Sequence, residues 1–189
     1  MRYSKAGIYL LSVLWCISCG AQEVTFTSKS VSIKISGTST LHNWEMLSAQ
    51  GECKAGIIPG IAGKPDHLSQ LYFNTPVTAL HSTHAAMDRN ALAALRSERF
   101  PTISWSMGEV VIGADGAVLG KGTLTIAGVS RQEEMSGVFR GKTADGFTMV
   151  GTKKIHLRDF SVVPPSVLLG AVKSGEDIVL EFTIVMARR

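Results

Sequence analysis

In the stretch Ile178-Val-Leu-Glu-Phe-Thr-Ile184 every second residue is apolar. Ile178, Leu180, Phe182 and Ile184 share one side of an extended chain, with Glu181 and Thr183 on the other. A helix would scatter this set around its axis, whereas a β-strand places residues i, i+2 and i+4 on one face. The same alternation runs through Val31-Ser-Ile-Lys-Ile-Ser36 and through Thr102-Ile-Ser-Trp-Ser-Met107, where Ile103, Trp105 and Met107 fall together. Strands with one dry and one wet face must share a core, and this requirement restricts the chain to a sandwich or a barrel.

Further strands are expected at residues 24–28, 44–55, 71–77, 109–112, 118–126, 132–139 and 147–155. Turns are expected at Gly113-Ala-Asp-Gly116, Ala127-Gly128 and Ala144-Asp-Gly146, whose residue types tolerate positive φ. Short strands at this spacing form a meander, and closing it removes the exposed edges, which favours an antiparallel up-and-down barrel. One segment departs from the pattern. Ala85-Ala-Met-Asp-Arg-Asn-Ala-Leu-Ala-Ala-Leu95 consists of strong helix formers, with Thr83 as candidate N-cap, and Pro101 returns the chain to an extended form. A single short helix in such a chain packs over an open end of the barrel or crosses its surface.

Residues 1–21 open with Arg2 and Lys5, continue through an apolar run from Ala6 to Trp15, and finish in small residues. This order reads as a secretory signal, and the run is shorter than the ~20 residues of a membrane span. Two cut sites compete. Cleavage after Ala21 leaves Gln22 first, while Ile17-Ser18-Cys19-Gly20 resembles a lipobox in which an acylated Cys19 would tether the domain to a membrane, although Cys16 stands where that motif usually has Leu. The expected mature domain, 22–189, is periplasmic or secreted. It keeps 17 basic and 15 acidic residues, a net charge of +2. The basic residues form no stripe and do not interleave with aromatic ones, which argues against a nucleic-acid partner. Of three cysteines only Cys53 lies securely in this part. The fold therefore stands on its apolar core without an internal disulfide, and Cys53 reads as a buried, inert thiol.

Four stretches resemble the YceI-like family, exported bacterial proteins similar to lipocalins. They are Gly37-Thr-Ser-Thr-Leu-His-Asn-Trp44, the run from Met87 through Arg96, Phe100 and Pro101 to Trp105, Gly122-Thr-Leu-Thr-Ile-Ala-Gly-Val-Ser-Arg131, and Arg158-Asp-Phe160 with Gly175-Glu-Asp-Ile178. They occur in the family's order across nearly the whole mature chain. Ser161 departs from the pattern, standing where the family commonly has glycine. The resemblance implies a lipocalin-like barrel around a polyisoprenoid or another long apolar molecule, with His42 belonging to the first motif. His42 would meet a ligand head group or, as a buried histidine, satisfy neighbouring backbone.

The expected inward residues, candidates to contact such a ligand, are Trp44, Phe73, Trp105, Leu124, Ile126, Leu180 and Phe182, with Leu92, Leu95 and Phe100 near the helix. Alternation alone leaves open whether these side chains fill the barrel or line a space inside it. Two functions correspond to the two cases: an exported binding protein for a polyisoprenoid, quinone or fatty acyl chain, or a protein-interaction module with a filled barrel. Catalysis has little support. No Gly-x-Ser-x-Gly elbow is present, Cys53 lacks a surrounding motif, and Asp88, Asp159 and Asp177 sit where carboxylates cap backbone. Among the five histidines only His81 and His84, with Asp88 in reach, have suggestive spacing. A zinc site needs three or four ligands, so no metal or other cofactor is expected.

Overall fold

The computed structural model describes residues 22–61, 63–167 and 171–189. The expected leader, with Cys16 and Cys19, lies outside them. The strands are β1 (Val24–Ser39), β2 (Trp44–Ser48), β3 (Glu52–Ile58), β4 (His67–Pro76), β5 (Thr102–Met107), β6 (Val110–Val111), β7 (Ala117–Ile126), β8 (Val129–Arg140), β9 (Gly146–His156), β10 (Ser166–Val167) and β11 (Val172–Arg188). The helix α1 (Ala85–Ala94) stands between β4 and β5. Along the ring β1-β3-β4-β5-β7-β8-β9-β11 every neighbouring pair is antiparallel, and β11 returns to β1. Among the described residues eight strands thus close an up-and-down barrel, with β2, β6 and β10 as additions to its wall.

Two strand expectations are corrected. Residues 24–28 and 31–36 belong to one strand, β1, whose ladder with β11 shifts register between Ser28 and Ser30. Residues 44–55 are two strands, β2 and β3, in one register against β1, with Ile33 opposite Ser48 and Phe26 opposite Ala55. The break at Ala49-Gln50-Gly51 arises because side chains take up a backbone acceptor there. Ser48 Oγ and Thr75 Oγ1 both donate to the Gln50 carbonyl, at 3.2 and 2.7 Å. Beyond the break β2 leaves β4, and Leu47 exchanges both backbone hydrogen bonds with His81 instead.

The up-and-down order sorts the connections between two ends. One end carries the β3–β4, β5–β7 and β8–β9 loops and closes on itself. There Phe147 stacks on Phe139 at 4.8 Å and meets Phe26 edge-on at 4.9 Å, with Ile57, Leu68, Ile112 and Met186 buried around them. Cys53, also in the core, is 1 % exposed, and burial pushes its thiol up to about 12. The thiolate is the reactive form. Native protein at pH 8 is therefore expected to leave a thiol reagent such as 5,5′-dithiobis(2-nitrobenzoate) unconsumed until denaturant is added; rapid native labelling would contradict this packing.

The other end carries the 40–43 turn, α1, the Ala127-Gly128 turn and the connection from β9 to β11. Here the wall is incomplete. The β8–β9 ladder runs from Arg140 opposite Thr148 to Ser136 opposite Thr152 and stops. Lys153 bridges the splayed strands, its Nζ donating to Glu133 Oε2 at 2.7 Å and to the Glu134 carbonyl at 2.8 Å. The 3-10 turn Leu157–Phe160 follows β9 and buries Leu157 and Phe160 in the common core. It ends at Ser161, which holds φ 56°. The turn that glycine commonly makes in the resembled family is thus made by serine, in a left-handed conformation that costs a non-glycine residue about 1 kcal/mol.

Candidate functional site: a lidded apolar cavity

The barrel is hollow beneath α1. Its cavity has a volume of about 420 Å³, far above the ~15 Å³ that admits one water. The floor is Phe139 with Val118, Leu68 and Met149. The walls are inward residues of β1, β2, β4, β5, β7, β8, β9 and β11. Of the expected ligand-contacting residues, Trp44, Phe73, Leu95, Trp105, Leu124, Ile126, Leu180, Phe182 and His42 line this space. The filled barrel does not describe this interior.

Leu92 and Phe100 do not line it. On α1 and at its C-cap the residues facing the cavity are Ala86, Met87, Asn90, Ala91, Ala94 and Leu95, which share one helical face, and Leu92 falls off that face. Leu95 and the alanines were expected on the apolar face of the helix, whereas Met87 and Asn90 were not singled out. Phe100 has a different task. Its ring lies against Gly128, at φ 79°, where a Cβ would collide with the ring. Arg96 and Arg99 approach the same ring at 4.9 and 5.2 Å, and Arg96 Nη2 donates to the Ala127 carbonyl at 2.6 Å. The helix is thereby latched to the β7–β8 turn.

The start of α1 is held differently from expectation. His84, not Thr83, occupies the N-cap and makes no side-chain cap. Asp88 reaches back instead, accepting from the Ser82 backbone N–H at 2.7 Å and from its hydroxyl at 2.6 Å. These bonds hold the Asp88 carboxyl below its ordinary range, and His81, 3.5 Å away, adds to the effect. Arg96→Ala removes the latch at the far end, a charge-assisted bond of about 1.5–3 kcal/mol. The expected outcome is release of a bound apolar chain faster by roughly tenfold, with the barrel intact, as measured by stopped-flow transfer to vesicles. An unchanged release rate would show that the helix does not gate the cavity.

Three broad lining side chains are seated against glycines of the wall. Gly37 stands opposite Trp44 in the β1–β2 ladder, and a Cβ at Gly37 would strike the six-membered part of the indole. Trp44 Nε1 donates to the Thr38 carbonyl at 2.9 Å, which fixes the ring there. Trp105, 4 % exposed, leans over Gly122 of β7, and Phe182 lies over Gly151 with Gly137 beside it. Where the wall lacks a side chain, the aromatic ring takes that room and leaves the lumen open.

Among the described lining residues none is Asp, Glu, Lys or Arg. The polar groups include His42, His84, Asn90, Ser39 and Ser174, from segments at the α1 end. His42 is exposed at the mouth, contrary to the buried alternative, and its Nδ1 lies 2.8 Å from the Asn43 carbonyl. A carbonyl only accepts, so Nδ1 is the donor of this contact. His67 lies 3.2 Å from Glu109, and His156 joins a surface network with Asp177 and Glu176. His156 and then Lys154 hold the Asp177 carboxyl low. Among the described residues no group of three or more His, Cys, Asp or Glu is arranged to hold a metal ion.

The family model described as "YceI-like domain" matches residues 21–186, nearly the whole chain. The chain belongs to the YceI-like family. The solved structures similar to it share the fold at low identity. Burkholderia cenocepacia BcnA superposes with a TM-score of 0.67 at 11 % identity, over 82 % of this chain and 95 % of that one. A polyisoprenoid binding domain from Saccharophagus degradans, implicated in plant cell wall breakdown, gives 0.66 at 8 % identity, over 88 % and 99 %. The Campylobacter jejuni YceI protein gives 0.52 at 19 % identity, over 65 % and 73 %. Among curated proteins none matches the sequence. As a YceI-like barrel the chain is a non-catalytic binding protein, able to enclose an apolar ligand. Three of the four stretches that resemble the family have physical tasks in this cavity. The first lays Trp44 on Gly37, the second is the lid with its Arg96–Phe100 latch, and the third supplies Gly122 and the turn that receives the latch. The fourth is tied by Arg158 Nε donating to Glu176 at 2.7 Å.

Proposed function

We propose that this YceI-like barrel is an exported carrier or sink for one long, uncharged apolar chain, such as a polyisoprenoid, a quinone tail or a fatty acyl chain. The observation that carries the reading is the uncharged cavity of about 420 Å³ beneath α1. A charge drawn into such a space would lose its hydration with no partner, at a cost of several kcal/mol. Each methylene brought out of water contributes about 0.8 kcal/mol, so a few isoprene units suffice for firm retention. Trp44, Phe73, Leu95, Trp105, Leu124, Ile126, Leu180 and Phe182 would contact the chain, and His42 at the mouth would receive its polar end. The Saccharophagus protein, whose name records polyisoprenoid binding, supports the ligand class. The leader-like residues 1–21 support release into the periplasm or medium, with Cys19 as an acyl tether in the lipobox variant.

Native mass spectrometry of protein from a bacterial host, before and after organic extraction, tests the proposal. The expected result is an added mass of a prenyl or acyl compound that extraction removes and re-addition restores. A ligand-free mass, together with no uptake of either chain type, overturns it.

A further inference from the structure

We infer that the glycines beneath the lining rings, Gly37 above all, are specificity-determining residues. They set a bore wide enough for methyl-branched chains. This rests on the carrier reading and adds to it which residues choose among apolar chains.

Trp44, Trp105 and Phe182 come from β2, β5 and β11, and all three line the lumen. Each ring is seated where a neighbouring strand turns a glycine inward: Gly37 on β1, Gly122 on β7 and Gly151 on β9. A ring seated against bare backbone occupies less depth of lumen than one held off by a side chain. A side chain on the glycine removes the seat, and the ladder behind it cannot yield, so the ring must tip inward. The width available to a ligand therefore depends on residues that never touch it. A straight methylene chain is narrow and can pass a tipped ring, whereas a chain with a methyl on every fourth carbon needs clearance on its branched side.

Gly37 separates this effect from damage to the fold. The three atoms nearest a Cβ at Gly37 all belong to the Trp44 indole. At Gly122 and Gly151 the Cβ would also press on the Ser106 and Ser136 carbonyls, so substitutions there disturb the ladder itself. Gly37→Ala thus acts through Trp44. The contact falls on Cζ2 and Cη2 at the outer edge of the indole, which the shorter phenyl ring of Trp44→Phe does not reach, so the double variant should regain the clearance.

The test compares geranylgeraniol with hexadecanol, alcohols of equal main-chain length of which only the first is methyl-branched. Each displaces a fluorescent apolar probe from the native protein, Gly37→Ala, and Gly37→Ala with Trp44→Phe, with circular dichroism confirming the fold. The expected result is a loss of about tenfold or more for geranylgeraniol in Gly37→Ala, set against about threefold or less for hexadecanol, a difference a few lost methyl contacts can supply. The double variant is expected to recover the branched alcohol. Equal losses for both alcohols, no loss for either, or no recovery in the double variant overturns the assignment. If native protein takes up neither alcohol, the carrier reading has failed and this inference falls with it.

Discussion

Leu180→Trp is expected to abolish tight uptake of an apolar chain while the barrel stays folded. Leu180 lines the cavity from β11 and is half-buried, with open lumen in front of it. An indole there projects into empty space, so the strain of overpacking a filled core, about 1–3 kcal/mol, is largely avoided. The added ring displaces about three methylenes of ligand. At about 0.8 kcal/mol each this amounts to about 2.4 kcal/mol, or roughly fiftyfold in affinity. Titration with a fluorescent acyl or prenyl probe reads the loss, and thermal unfolding reads the fold. Affinity retained within about twofold would place the ligand elsewhere than this cavity.

The largest effect on stability is expected at Phe160. The β8–β9 ladder ends at Ser136 and Thr152, and above it the turn Leu157–Phe160 brings Phe160, 1 % exposed, into the core in place of further strand pairing. Phe160→Ala leaves a void the surrounding strands cannot close, at a cost of about 3–5 kcal/mol. For a domain of this size that lowers Tm by about 10 °C. Denaturant unfolding with an unchanged m-value and a midpoint shifted accordingly is the expected record. A loss below about 1 kcal/mol would mean that the turn rests on the surface of the barrel.

Strand identity was legible because period-two alternation is a local signal. Ile178, Leu180, Phe182 and Ile184 share an inner face with no tertiary information needed, and the Ala127-Gly128 turn is stated by its residue types. The hollow interior was not legible. It depends on pairs such as Trp105 with Gly122 and Phe182 with Gly151, which are distant in sequence and become partners only through strand register. Trp44 and Gly37 lie nearer, in one hairpin, yet nothing local says that the ring covers the glycine. Phe100 misled for a related reason. It is an aromatic residue beside the lid and reads as lining, but Gly128 supplies a seat outside the lumen and the two arginines hold it there. The break at Ala49-Gln50-Gly51 was hidden because it depends on Thr75 donating to the Gln50 carbonyl from another strand. His42 was legible as part of a motif, but not its exposure, which follows from the position of the 40–43 turn at the open end.

The most direct measurement is a crystal structure of the protein isolated, without detergent or refolding, from the bacterium that makes it. Continuous tubular density is expected from beside His42, under Asn90 of α1 and Leu95, down to Phe139, with the Trp44, Trp105 and Phe182 rings seated on their glycines. An interior in which those rings turn inward and meet, leaving no room for a chain, would contradict it.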